Sequence, residues 1–234
     1  MKYAVCRLSA IPMREKPSDK AEMTNQMLFG ETAIVLETVE NWSKIQLTHD
    51  NYIAWVDAFQ LTMLEELTAS KNYTINNLYD TYSYNNDSLI LTCGALIDED
   101  STQNNFTLLE TAKHFLNTPY LWGGRSFMGI DCSGFTQIVF RVHGISLLRD
   151  AYQQITQGIN VDFNEAQTND LAFFHNKDGR ITHVGIVIKE DNQLKIIHAS
   201  KKVRIDLLDE KGIYNEERQC YTHQFHSIKR IIND

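Results

Sequence analysis

The sequence has no apolar run approaching the ~18 residues of a membrane-spanning helix, so no transmembrane helix is expected. Its opening stretch, Met1 to Pro12 (MKYAVCRLSAIP), lacks a long apolar centre, and charges return at Arg14, Glu15 and Lys16. It does not read as a signal peptide. Positive charge is in short supply. The 22 Lys and Arg against 30 Asp and Glu leave a net charge of −8. That argues against a nucleic-acid partner and against a polybasic membrane anchor. Cysteine is sparse as well. Cys6, Cys93, Cys132 and Cys220 show no C-x-x-C spacing, which argues against a zinc site built from them. No metal and no cofactor are expected. Scattered single cysteines suit a reducing compartment better than a disulfide framework, so the cytoplasm is the expected location. The alternative is periplasmic or secreted, had a signal peptide been removed. A monomer is expected.

What is present is a chain of 234 residues with ordinary apolar content, enough for one large domain or two to three small ones. Residues 1–60 read as short strands and turns. Met27 to Phe29 lead into a turn at Gly30-Glu31, and a β-rich run follows over Ala33–Val39. Trp42, Ile45 and Leu47 alternate roughly, Asp50-Asn51 is a turn, and Tyr52–Val56 is another strand. Such spacing predicts a small β-barrel. Residues 61–106 read as a reduced second module of the same kind or a connector. Its features are an Asn- and Tyr-rich stretch over Asn72–Asn86, strands at Ser88–Thr92 and Ala95–Ile97, and a polar loop over Asp98–Asn105.

Residues 107–234 read as a third region. Thr107 and Glu110 fit a capping box, followed by Leu108, Leu109, Ala112, Phe115 and Leu116 at helical spacing up to Pro119. A glycine-rich loop then becomes a helix at Asp131-Cys132-Ser133-Gly134-Phe135, with Ile138, Val139 and Val142 on one face and a stop near Gly144. A short helix follows Arg149-Asp150. Strands are predicted over Asp170–Phe174, Ile181–Ile188, Leu194–Ala199 and Phe225–Ile232. A hairpin lies at Asp178-Gly179 and a turn at Asp191-Asn192. Helices followed by an antiparallel sheet give an α+β pattern.

Cys132 sits where a loop turns into a helix. Asp131 is a plausible N-cap, and the positive helix end with its unpaired N–H groups favours thiolate over thiol. His183 and His198 lie 15 residues apart across a turn, so neighbouring strands can place them side by side. A helix-start cysteine with two strand histidines is the set that a cysteine hydrolase needs. Cys132 is the expected nucleophile, His183 the base and acid, and His198 the group that orients its ring. Cys6, Cys93 and Cys220 read as structural, and His143, His175, His223 and His226 as surface or core residues.

The motifs P-Y-L-W-G-G-R-S with G-I-D-C-S-G-F, then T-H-V-G-I-V-I, then I-I-H-A-S resemble the NlpC/P60 cysteine peptidases over residues 107–234. These are papain-like enzymes that cleave cell-wall peptides. Upstream, F-G-E, N-W-S-K-I-Q-L and Y-I-A-W-V resemble a bacterial SH3 domain, with Ala54 where a glycine is usual. The combination is similar to a branch that cuts the γ-D-Glu–diamino acid bond of free L-Ala-γ-D-Glu-diamino acid peptides in peptidoglycan recycling. That resemblance implies a peptidoglycan-derived peptide as the partner molecule. It implies Tyr120 and Trp122 lining the site, Asp131 and Ser133 at the substrate head, and Asp150 on the free amine. The serine usual just beyond that aspartate is absent, since Ala151 and Tyr152 follow. The barrel is expected to add an acid and a tyrosine, for which Glu22 and Tyr52 are the candidates. An enzyme acting on intact wall is the alternative reading.

Overall fold

The computed structural model describes residues 2–67, 73–98, 105–191 and 193–231. The expected loop over 99–104, the start of the Asn- and Tyr-rich stretch at Asn72, Asn192 of the turn and Ile232 lie outside them. The chain divides into two compact units.

The first unit is Met1–Asn105 together with Leu121–Gly129. Its main sheet has seven antiparallel strands, in the spatial order Met23–Leu28, Ala10–Arg14, Ile53–Asp57, Trp42–Leu47, Thr32–Val39, Lys2–Cys6 and Leu61–Leu64. Period-two alternation turns Ile11, Met13, Ile45, Leu47, Ala54 and Val56 inward with Cys6 and Met27, which is the barrel core. Cys6 is buried and free. A second cluster forms where Phe29 meets Ile75, Leu91, Ala95 and Ile97. Two small pairings carry it, Tyr79–Tyr84 with Asp87–Thr92 and Tyr73–Thr74 with Leu96–Ile97. The tyrosine-rich stretch is thereby packed, since Tyr82 and Tyr84 set their rings edge-on to Phe29 at 5.5 and 5.4 Å.

Arg125, from the glycine-rich loop, is fully buried within this unit. It meets the Glu31 carboxylate in a two-pronged pair, Nη1 to Oε2 at 3.0 Å and Nη2 to Oε1 at 2.8 Å, and it also donates to Gln26 O at 2.8 Å. Gly123, at φ +74°, has no room for a side chain, because a Cβ would stand 2.6 Å from Met23 O. Arg125→Met is expected to destabilise the protein by about 3–5 kcal/mol, since Glu31 would stay buried without its guanidinium partner, keeping only weaker compensation such as Leu28 N–H and His49 Nε2 at 3.6 Å. Pairing it with Glu31→Leu should recover much of that loss. Denaturant unfolding of the single and double variants checks both.

The second unit is Phe106–Tyr120 with Ile130–Asp234. Helix α1 (Leu108–His114) opens on the expected capping box, Thr107 Oγ1 accepting from Glu110 N and Glu110 Oε2 accepting from Thr107 N. Helix α2 (Cys132–Val142) follows, ending at His143 and Gly144, and then the single-turn α3 (Ala151–Gln154). The sheet order is Ile159–Val161, Cys220–Arg230, Leu171–His175, Ile181–Glu190, Gln193–Ser200, Lys202–Asp209 and Gly212–Asn215. Gly212–Asn215 pairs back onto Cys220–Arg230, so all but the first of these strands close into a ring.

The α+β expectation therefore holds only in part. Helices do precede an antiparallel sheet in the second unit, but strand dominates the chain. The first unit has no α-helix among its described residues. Residues 200–224, in which no strand was expected, supply two strands and the start of a third. The first of them alternates polar and apolar from Lys202 to Leu207, a strand signal that the expectation passed over.

Candidate active site

The site begins at the start of α2. Asp131 caps the helix, its Oδ1 accepting from Gly134 N at 2.6 Å. Phe135, Ile138 and Val139 bury the apolar face, which fixes the helix in the unit's core. The cap has a second task. Arg149 donates from Nη1 to Asp131 Oδ1 at 3.0 Å, from Nη2 to Oδ2 at 2.5 Å, and from Nη1 to Ser133 Oγ at 3.0 Å. Gln154 of α3 adds a bond from Nε2 to Ser133 O at 3.0 Å. Asp131, Ser133 and Arg149 are all buried, so the first turn of α2 is held by a charge-assisted network.

Cys132 is buried and free at that first turn. Its Sγ lies 4.0 Å from Thr182 O, beside His183 on the neighbouring strand. The expected thiolate is not what this environment favours. Burial pushes the thiol up to about 12, and the Asp131 charge adds to it. The Val184 and Ser133 backbone groups and Arg149 pull the other way and are outweighed. At rest the group is a thiol that needs a base.

A base stands on the strand Ile181–Glu190. His183 Nε2 lies 2.8 Å from His198 Nδ1, and His198 Nε2 lies 3.0 Å from Asp206 Oδ2. Gly185 makes this approach possible, because a Cβ there would come within 2.8 Å of His198 Cβ. Asp206 Oδ1 also accepts from Arg204 Nη2 at 2.9 Å and Asn215 Nδ2 at 3.1 Å. Burial opposes charge on Asp206, but hydrogen bonds from His198 and Arg204 win and hold its carboxyl below the usual range.

An ionised Asp206 only accepts, so His198 carries its proton on Nε2. Its Nδ1 must then accept from His183 Nε2–H, and the lone pair of His183 is left on Nδ1. The carboxylate thus sets two tautomers in series. Burial, then His223 and His198, keep His183 well below its ordinary value, so it is a neutral base.

Two further groups border the base. His223 stacks on His183 with ring centroids 4.0 Å apart. Ring closure brings this histidine, expected as a surface or core residue, against the base. Tyr120 is half-buried and donates its backbone N–H to Lys201 O at 2.9 Å. Burial, then the Cys132 and Asp131 charges, push its phenol above the ordinary range. With Thr182, His183, Lys201 and His223 it lines a cavity of about 260 Å³.

Of the expected site residues, Cys132, His183, His198, Tyr120, Asp131 and Ser133 thus belong to one neighbourhood of the second unit. Asp150 caps α3, and its carboxylate and burial, burial first, raise the Tyr152 phenol. Trp122, Glu22 and Tyr52 belong to the first unit. Trp122 and Glu22 are exposed there, and the Tyr52 hydroxyl donates to Thr24 O at 3.5 Å. Sequence reading missed Asp206, Arg149 and His223. Asp206 left a faint signal, as it sits two places beyond Arg204, the cross-strand partner of His198.

Set against known proteins, residues 117–222 match the NlpC/P60 family and residues 13–61 match the bacterial dipeptidyl-peptidase SH3 domain. A Bacillus cereus protein named gamma-D-glutamyl-L-lysine dipeptidyl-peptidase is 38% identical over 47% of this chain and 33% of its own length. A Bacillus subtilis protein of the same name is 36% identical over 49% of this chain and 40% of its own. This chain thus covers well under two thirds of those relatives. The crystal structure of an NlpC/P60 family protein from Bacillus cereus shares the fold, with TM-score 0.82 over 99% of this chain and 100% of that one at 22% identity.

Proposed function

We propose that the chain is a cysteine peptidase of peptidoglycan recycling, a reading supported by the match of residues 117–222 to the NlpC/P60 family and of residues 13–61 to the bacterial dipeptidyl-peptidase SH3 domain. In this reading it hydrolyses the γ-D-Glu–diamino acid bond of free L-Ala-γ-D-Glu-diamino acid peptides. The observation that carries the chemistry is the relay from Asp206 through His198 to His183, on the strand beside the Cys132 thiol. The relatives named for a γ-D-glutamyl-L-lysine substrate support the choice of bond.

His183 Nδ1 takes the proton of the Cys132 thiol as sulfur attacks the γ-carbonyl carbon of D-Glu. The charge that develops on the carbonyl oxygen falls to backbone N–H groups at the start of α2. Collapse breaks the C–N bond, and His183 gives its proton to the departing amine of the diamino acid. Water, deprotonated by the same nitrogen, then splits the thioester and restores the thiol. His198 and Asp206 hold the tautomer and spread the positive charge while His183 is protonated.

In this proposal Tyr120, Trp122, Asp131, Ser133, Asp150, Glu22 and Tyr52 serve substrate binding, with acidic groups matched to the free amine. The expected result is that acetylating the N-terminal amine of L-Ala-γ-D-Glu-L-Lys lowers kcat/KM by about 100-fold or more, as a charged hydrogen bond is lost. Equal cleavage of acetylated peptide, or of whole sacculi, would overturn the recycling reading in favour of a hydrolase of the intact wall.

A further inference from the structure

Sequence reading found no metal site, because the cysteines lack the spacing for one. Folding makes a different donor set. One ring nitrogen from each of His183, His198 and His223 lies within 4.8 Å of those of the other two. These histidines come from three separate strands, and closure of the ring is what gathers them.

Two of these rings, His198 and His223, have outer partners of the kind found around bound metals. A metal-bound imidazole ordinarily hands its other nitrogen to a carboxylate, hydroxyl or carbonyl. His198 Nε2 is on Asp206 Oδ2 at 3.0 Å, and His223 Nδ1 is on Thr222 Oγ1 at 2.9 Å. That leaves His223 Nε2 to turn toward the cluster, while His198 Nδ1 and His183 Nε2, hydrogen-bonded to each other at 2.8 Å, would exchange that bond for the ion. Neutral imidazoles suit zinc, copper and nickel, and three of them with one open position make a tetrahedral site. The cavity that His183 and His223 line, about 260 Å³, has room for a water in the fourth position.

We propose that His183, His198 and His223 bind one divalent transition-metal ion, represented by Zn²⁺, as a reversible off-switch for the proposed thiol chemistry. For His183 Nε2 to bind the ion, its ring proton must move to Nδ1. No proton leaves the protein, since all three rings enter and remain neutral. The lone pair on Nδ1, the proposed acceptor of the Cys132 proton, is gone while the metal is bound. Inhibition thus needs neither a Zn–sulfur bond nor a blocked cleft.

The test uses the full chain carrying Cys132→Ser and Cys220→Ser, which removes the nearby and the exposed thiol. Zn²⁺ is titrated against a chromophoric chelator, and histidine ring ¹⁵N shifts are recorded alongside. Expected are one saturable site, a shift of one ring from the Nε2–H to the Nδ1–H form, and a binding enthalpy that does not change with buffer. His223→Gln should weaken binding by about 100-fold or more, and His223→Cys should restore it. That rescue separates loss of a ligand from loss of fold. Changing the other neighbouring pair, His175 and His226, whose centroids lie 5.9 Å apart, should leave it intact. The proposal is overturned if His223→Gln binds as tightly as its parent, if binding follows His175 and His226, or if removing the thiols abolishes it. Binding is read without substrate, so the metal site and the peptidase reading can fail separately.

Discussion

Cys132→Ala is expected to remove hydrolysis of L-Ala-γ-D-Glu-L-Lys, lowering kcat by about 10⁴-fold or more while leaving the fold intact. The reasoning starts from the acyl transfer proposed above. Without the sulfur there is no atom at the start of α2 to form the thioester, and a positioned base alone recovers little, as loss of a nucleophile in other hydrolases shows. The structural cost is small. Sγ makes a long contact to Thr182 O and meets the Val184 and Ser133 backbone groups, and the cap and the Arg149 network do not depend on it. Losing one buried sulfur should cost on the order of 1–2 kcal/mol in an otherwise close-packed site. Thermal unfolding of the variant should thus track the parent closely while turnover disappears. Undiminished hydrolysis by a purified Cys132→Ala protein would end the peptidase reading. A large drop in melting temperature would show instead that the thiol is a packing residue first.

The parts of this site that the sequence displays are those written in local patterns. A cap, a glycine and apolar residues at spacings of three and four mark the start of α2, and short β-branched runs bounded by turn signals mark each histidine strand. The supporting groups are set by pairings between distant segments. Arg149 is adjacent to Asp150 in sequence and invites that pairing, yet consecutive residues do not face each other, and its partner is Asp131. Asp206 looks like any acid on a half-polar strand until that strand pairs with the one bearing His198. His223 depends on closure of the whole ring. In the first unit, the hairpin at Asn85-Asn86 escaped notice because its turn uses two asparagines at φ 51° and 68°, where a glycine would have signalled it. The thiolate expectation failed for a related reason. A helix start is visible in sequence, whereas the burial that outweighs it is a property of the packed unit.

Asp206→Asn isolates the remote end of the relay, and its expected effect is a fall in kcat of about 10²–10⁴-fold with a folded protein. The replacement keeps the shape but changes one acceptor oxygen to a donor. Asp206 meets three donor residues: His198 on Oδ2, Asn215 on Oδ1, and Arg204 through Nη2 on Oδ1 with Nε 2.8 Å from Oδ2. If the new amide oxygen faces His198, its NH₂ is set against the Arg204 and Asn215 donors, leaving buried donors without acceptors. If the oxygen faces Arg204 and Asn215 instead, the NH₂ donates to His198 Nε2. His198 must then carry its proton on Nδ1 and donate to His183 Nε2. His183 in turn must hold its proton on Nδ1, the position that has to be a lone pair to accept from Cys132. The second arrangement sets the NH₂ against one donor, Arg204 Nε at 2.8 Å, where the first sets it against two, and should prevail, so one substitution two rings away reverses both tautomers. The comparable carboxylate-to-amide change in a serine protease triad costs about 10⁴-fold by this route. Ring ¹⁵N shifts should show His183 and His198 both changing form, with KM moved much less than kcat. Turnover that survives with both tautomers reversed would mean that His183 Nδ1 is not the base.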